Sequence, residues 1–400
     1  MSPSKAPAAP IQTEKLTQAV RLVREAGLDA WLTFVRETGA GSDPVLPLVC
    51  DSGLTWQSAL IVAASGERIA VVGNYDAEPL QASGVWTEVV PYVQSIREPL
   101  LAALERTVRP GGKIGVNFST SDDKADGLTH GMRLLLDGYL ADTRLAGSIV
   151  SAEPVVTRLR GEKTPTEIEK IRGAIAQGDR IFSEIAGFAK VGRSELEVFE
   201  FVHRLMAERG LGFAWDPSGD PIVNSGPDSM IGHGKPSSRI QISPGHVFHV
   251  DLGVVSEGYS SDVQRCWFVG DSVPNDVQEG LEAVNRAITA AAEALRPGVL
   301  GHEVDAVARG SIVASGYPEY LHAVGHQVGR LAHDGGAVLG PRWERYGSTV
   351  TTPVRLGEVY TLELGVTLPG RGYLGIEEMV VVKDLGCEFL TERQRAMPVL

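Results

Sequence analysis

The stretch GHVFHVDLGV, residues 245–254, returns in altered form as GEVYTLELGV, residues 357–366. Gly, Val, Leu, Gly and Val recur at matching places, and each copy reads as a turn feeding an apolar strand. Each also carries a carboxylate at the same step, Asp251 in one and Glu363 in the other. An echo of this kind predicts a domain built from two duplicated halves. A carboxylate in so apolar a strand is costly to bury alone and calls for a partner or a cation.

Helical segments surround the echo. In TPTEIEKIR, Thr164 is placed to cap a helix, Pro165 to start it, and Glu167 to reach back as a capping box. Ile168, Ile171, Ile175, Phe182 and Ile185 then recur at helical spacing. Ser194 and Glu197 repeat the capping box, and a further helix is predicted over 276–295. The chain before about residue 155 reads differently. Helix, glycine stop and strand follow one another in TEKLTQAVRLVREAGLDAWLTFV, and SALIVAASGERIAVVG reads as two strands about a Ser-Gly turn. The sequence therefore predicts an α/β (α+β) protein with a disordered lead-in over 1–10, an amino-terminal domain over 11–157, and a duplicated domain over 158–400 that carries the chemistry.

Composition narrows the function. The 400 residues carry a net charge of −13, which argues against nucleic acid as the main partner, since phosphate binding needs clustered Lys and Arg. No apolar run reaches the ~18 residues of a membrane span, and the amino terminus lacks the apolar core of a secretory signal. Three cysteines, far apart and without a CxxC pair, read as reduced thiols, so a cytoplasmic location is expected.

More acids and imidazoles gather in the second domain. Asp262 follows Asp251 after a turn at Gly258, a spacing that suits a hairpin returning the second carboxylate beside the first. Thr361, Glu363 and Gly365 share one strand face. Glu377 and Glu378, in LGIEEMVVV, must point to opposite faces, so at most one looks into any given site. If the acids converge, they cannot all stay ionised without cations between them. Two divalent ions balance four carboxylates, and oxygen ligands with one imidazole favour Mn(II) or Co(II), with Zn(II) also compatible. HAVGHQVGRLAHD, residues 322–334, supplies three of the nine histidines. His322 and His326 have the spacing of a helical HxxxH pair, but Ala323 stands where HExxH needs Glu, and Gly325 and Gly329 oppose a helix. An extended or irregular segment is expected instead.

Taken in order, VDLG, SSDVQR, HAVGHQVGRLAHD, TLELG and IEE resemble the pita-bread metallopeptidases, a group that includes methionine aminopeptidase, aminopeptidase P, prolidase and the metal-free creatinase. LRGEKTPTEIEKIR and PGVLGHEVDAVAR are similar to that family's helix openings. The resemblance is strong over about 155–385, and the first domain is similar to that of the aminopeptidase P and prolidase branch. It implies that Asp251, Asp262, His326, Glu363 and Glu377 hold two metal ions, with Asp262 and Glu377 bridging them. It implies substrate contacts for His233, His322 and His333, and a homodimer in which the first domain covers the site.

The implied reaction is hydrolysis of an Xaa-Pro bond in a small peptide by a metal-bridged hydroxide. Glu363 is the general base, and His233 and His333 stabilise the oxyanion. The chain departs from the family at two places. Leu364 stands where Pro is usual, and Gly375 where an Arg is usual, with Tyr373 nearby to fill part of the space. Arg36, in FVRETGAGSDPVLPLVC, is a candidate cation for blocking longer peptides. An Xaa-Pro dipeptidase is the first expectation and an Xaa-Pro aminopeptidase the alternative. A metal-free binding module and a creatinase-like amidinohydrolase remain as readings from other classes.

Overall fold

The computed structural model describes residues 11–40, 42–232 and 234–400. The expected lead-in over 1–10 and His233 lie outside the described residues. The chain divides after Arg160 into two compact units.

The first unit is built on a six-stranded sheet. Its strands are β1 (Ala30–Val35), β2 (Ser58–Ala63), β3 (Arg68–Gly73), β4 (Glu88–Tyr92), β5 (Ile114–Val116) and β6 (Ile149–Ser151), in spatial order β4-β3-β2-β1-β5-β6. β2 and β3 are the hairpin expected about the Ser65-Gly66 turn. Strands buried on both faces, such as β1 and β2, need cover on each side. Two apolar clusters supply it, one containing Leu16, Leu22 and Trp31, the other Leu100, Leu104 and Leu136.

The second unit repeats one order of elements. A pair of helices, Pro165–Phe188 and Glu195–Glu208, precedes the hairpin of β9 (Val247–Ser256) and β10 (Tyr259–Phe268), which the short strands β7 (Gly212–Phe213) and β8 (Ile222–Ser225) extend. A second pair, Asn275–Ala294 and Gly301–Ala314, precedes the hairpin of β11 (Val359–Leu368) and β12 (Gly372–Lys383), joined by β13 (Gly386–Phe389). The echoed segments at 245–254 and 357–366 are the turns and first strands of these two hairpins.

Both predicted capping boxes form. Thr164 N–H donates to Glu167 Oε2 at 2.8 Å and Glu167 N–H to Thr164 Oγ1 at 3.3 Å; Ser194 and Glu197 do the same at 2.8 and 3.2 Å. Each cap contributes ~1 kcal/mol to helix stability. Helix Pro165–Phe188 packs on β9 and β10, helix Asn275–Ala294 on β11 and β12, and β10 lies against β12. Each half has its own apolar core, around Phe248 and Val263 in one and Leu281 and Leu362 in the other. The inward faces of the hairpins are left for polar side chains.

Candidate metal centre

Register places the acids. Across β9 and β10, Asp251 faces Gln264 and Gly253 faces Asp262, so the two aspartates share a face on a diagonal. Across β11 and β12, Glu363 faces Glu377 directly. Glu378 points the other way, to Arg265 Nη2 at 3.1 Å and Thr391 Oγ1 at 2.6 Å.

The histidine segment is irregular, as its glycines require. Residues 324–328 run beside β11: Glu363 N–H donates to Val324 O at 2.8 Å, Thr361 N–H to His326 O at 2.9 Å and Val328 N–H to Val359 O at 3.0 Å. Gly325 permits this approach, since a Cβ there would run into the Thr361 carbonyl. His326 is thereby fixed beside Glu363. Its Nδ1 lies 3.1 Å from Ala332 O, an atom that can only accept, so Nδ1 carries the proton. Nε2 then presents a lone pair to Glu363 Oε1 at 3.6 Å and Asp262 Oδ2 at 3.7 Å. Burial, reinforced by the neighbouring His333, lowers His326 to about 3 and keeps it neutral.

Asp251, Asp262, His326, Glu363 and Glu377 line one cavity of about 580 Å3, together with His322 and His333. Burial and then mutual repulsion push Asp251, Asp262 and Glu377 well above the usual carboxylate range. Burial, with Asp251 as the next cause, pushes Glu363 up to about 8. Asp251 Oδ1 is buried with no hydrogen-bond partner among the described residues. A ligating atom from each of Asp262, His326 and Glu377 falls within 4.8 Å of the others. An imidazole lone pair aimed at carboxylate oxygens is repulsive unless a cation lies between them. The donor set fits hard or borderline divalent ions.

The centre occurs within a recognisable sequence pattern. Residues 169–384 match metallopeptidase family M24, and that span covers both hairpins and the histidine segment.

The chain belongs to metallopeptidase family M24.

Relatives within M24 share the two-unit architecture. A curated Xaa-Pro dipeptidase from Pyrococcus furiosus is 34% identical over 247 residues, 61% of this chain and 67% of its own length. The crystal structure of an X-Pro aminopeptidase from Thermotoga maritima MSB8 is 26% identical with a TM-score of 0.70, covering 96% of this chain and 99% of that one. The dipeptidase PepE from Mycobacterium ulcerans is 26% identical with a TM-score of 0.73, covering 97% and 98%. The expected pita-bread fold, with its amino-terminal domain, is therefore present.

The other expected site residues divide among the two units of this M24 chain. His322 and His333 line the main cavity. Arg36 is an exposed residue of the first unit, one step after β1. Tyr373 lies in a second cavity of about 330 Å3 that shares Asp251, Glu363 and His322 with the first. Its ring crosses Gly365 and Gly375, where a Cβ at either position would strike it. Its hydroxyl is hydrogen-bonded to that of Tyr320.

Some functional neighbours escaped the sequence reading. Thr361 Oγ1 accepts from His326 N–H at 3.2 Å and donates to Glu377. The Gln264 amide donates to Glu377 Oε2 at 3.0 Å and Glu363 Oε2 at 3.3 Å. Trp215 and Tyr346 wall the main cavity. Gln264 was within reach, since two places after Asp262 puts it on the same strand face. Trp215 sits in an irregular segment and Tyr346 in a single 3-10 turn, Glu344–Tyr346, too short for periodicity to indicate direction.

Proposed function

We propose that this protein hydrolyses the Xaa-Pro bond of dipeptides with two divalent metal ions, most simply Mn(II), held by Asp251, Asp262, His326, Glu363 and Glu377. The observation that carries the proposal is that four acids line one cavity with the bare Nε2 of His326, Glu363 and Asp262 coming within 3.6 and 3.7 Å of it. The ions would supply Lewis acidity and lower the pKa of a water at the site. Asp262 and Glu377 would hold the ions from the two hairpins, in the shared role the family resemblance implies for them.

In this reading Glu363 takes a proton from the attacking water and delivers it to the prolyl nitrogen. His333 donates to the developing oxyanion, a role shared with His233, and His322 shapes the proline pocket. The homodimer belongs to the same proposal.

One observation favours the second reading, an Xaa-Pro aminopeptidase acting on longer peptides. Gly375 stands where the family's arginine is expected, under the Tyr373 ring. The described residues lining both cavities then offer a dipeptide's terminal carboxylate no Lys or Arg. Comparing kcat/KM for Ala-Pro and Ala-Pro-Ala with Mn(II)-loaded protein decides between the two. The dipeptidase reading expects at least tenfold preference for Ala-Pro, and comparable values transfer the assignment to the aminopeptidase. A protein that binds no divalent metal and cleaves neither substrate overturns both.

A further inference from the structure

Gln264 holds a distinctive place in the duplicated sheet. The echoed acids Asp251 and Glu363 occupy matching positions in β9 and β11. Asp251 is paired with Gln264, and Glu363 with Glu377. An amide therefore stands in the first hairpin where the second has a carboxylate.

The orientation of that amide follows from its neighbours. Gln264 is buried, 6% exposed. One end lies 3.0 Å from Glu377 Oε2 and 3.3 Å from Glu363 Oε2. The other lies 3.0 Å from His249 Nε2. Carboxylate oxygens only accept, so the Gln264 NH2 must face them and its carbonyl must face His249. His249 Nε2 lies against that carbonyl, while His249 Nδ1 faces Asn224 Oδ1 at 3.1 Å. The imidazole is 3% exposed, packed against Asn224 on one side and the Tyr373 ring on the other, with ring centroids 5.1 Å apart at 85°. A reversed amide would aim a carbonyl at two carboxylates.

We propose that Gln264 is a positioning residue for the metal centre: it holds Glu363 and Glu377 together through its two N–H groups, with His249 packed against the far end of the amide. The inference rests on the metallopeptidase reading. Its physical basis is that partners behind metal-binding side chains set ligand orientation, and their loss commonly costs 10–100-fold in metal affinity. Because Glu363 and Glu377 are cross-strand partners with like charge, a donor shared between them also offsets their repulsion.

The test is calorimetric titration of chelator-treated protein with Mn(II), which needs no peptide substrate. Gln264→Met keeps side-chain length and removes both donors, and is expected to weaken Mn(II) binding at least ~tenfold. His249→Leu is expected to weaken it in the same direction. The double variant should be no weaker than Gln264→Met alone, because both changes break one contact chain. Native affinity in Gln264→Met overturns the inference, and additive losses in the double variant remove His249 from it. Should Gln264→Met fail to fold, native affinity in His249→Leu overturns it instead. If the unsubstituted protein binds no divalent metal, the metallopeptidase reading fails first, and the two failures are told apart by that measurement.

Discussion

Glu363 and Glu377 are direct cross-strand partners on β11 and β12, with the Gln264 amide donating to both. Like charges at directly opposed positions destabilise a sheet. Their pairing is paid for by function, and the consequences are measurable.

The first concerns Glu363 as general base. Glu363→Gln preserves shape and one acceptor oxygen but cannot take up a proton. A loss of ~10²–10⁴ in kcat is expected, the range of a general base. Stopped assays on Mn(II)-saturated protein measure it, and full turnover by the variant removes Glu363 from that role.

The second concerns pH and metal removal. Burial pushes Glu363 and Asp220 up to about 8 and Glu358 to about 7. A carboxyl raised in the folded state contributes stability that is complete below its unfolded pKa and is lost as pH rises through the folded value. His326 acts oppositely: it is lowered to about 3, and its contribution is lost as pH falls below the usual imidazole range. Above pH ~6.5 the histidine contribution is constant. Chelator-treated protein should therefore melt at progressively lower temperature from pH 6.5 to 8, and added Mn(II) should flatten that slope. Calorimetric melts across the window test this, and a Tm that rises with pH contradicts it.

A third expectation follows from the ion pair behind the histidine segment. Lys163 Nζ and Asp334 Oδ2 are 3.0 Å apart, with side chains 1% and 3% exposed. Lys163→Met removes the cation that faces a buried carboxylate, at a cost of ~3–5 kcal/mol in unfolding free energy. Lys163→Met combined with Asp334→Leu should regain most of that loss. Urea titrations compare the two, and equal stability of the single and double variants would count against a desolvated pair.

Glu195 carries a fourth. Its buried carboxylate accepts from Ser225 N–H at 3.0 Å, Ser237 N–H at 3.0 Å, and the Ser229 hydroxyl, fastening both ends of the segment that includes position 233. Glu195→Ala leaves buried donors unpaired at ~1–3 kcal/mol apiece. If that segment presents His233 to substrate, kcat/KM should fall while Mn(II) affinity stays native. Unchanged kcat/KM in a variant that melts earlier makes Glu195 a stability residue alone.

The last concerns the missing arginine. Gly375→Arg by itself must displace the Tyr373 ring and the Gln264 carbonyl, which occupy the space of a Cβ there. Overpacking of this kind costs ~1–3 kcal/mol. Adding Tyr373→Ala opens the space, and the double variant should recover stability and favour Ala-Pro over Ala-Pro-Ala more than the native protein does. A Gly375→Arg protein as stable as native contradicts the packing argument.

Much of the architecture was legible in the sequence because it rests on local rules. Capping boxes at Thr164 and Ser194 are satisfied within a single turn, so the residue pattern suffices to locate them. The period of two along a strand places Thr361, Glu363 and Gly365 on one face whatever packs against it. The glycines of HAVGHQVGRLAHD excluded a helix, and Gly325 does lie against the backbone of β11. Trp215 and Tyr346 were not legible, because an irregular segment and a single 3-10 turn are too short to give a period from which to infer direction.

The sequence by itself determined the kinds of ligand present, their order, and the duplication that brings Asp251 and Glu363 to matching places. It could not decide by strand period alone whether Glu377 or Glu378 faces the cavity, since alternation relates neighbours without naming the inner face. Packing of β10 against β12 decided that, by giving Glu378 the buried guanidinium of Arg265 and leaving Glu377 to face Gln264. Only the tertiary structure oriented the Gln264 amide and laid the Tyr373 ring across Gly365 and Gly375. The amide depends on contacts between strands distant in sequence, where one side chain's direction is set by what its neighbours can donate or accept; the ring, whose place near Gly375 the sequence suggested, reaches Gly365 through the pairing of β11 with β12.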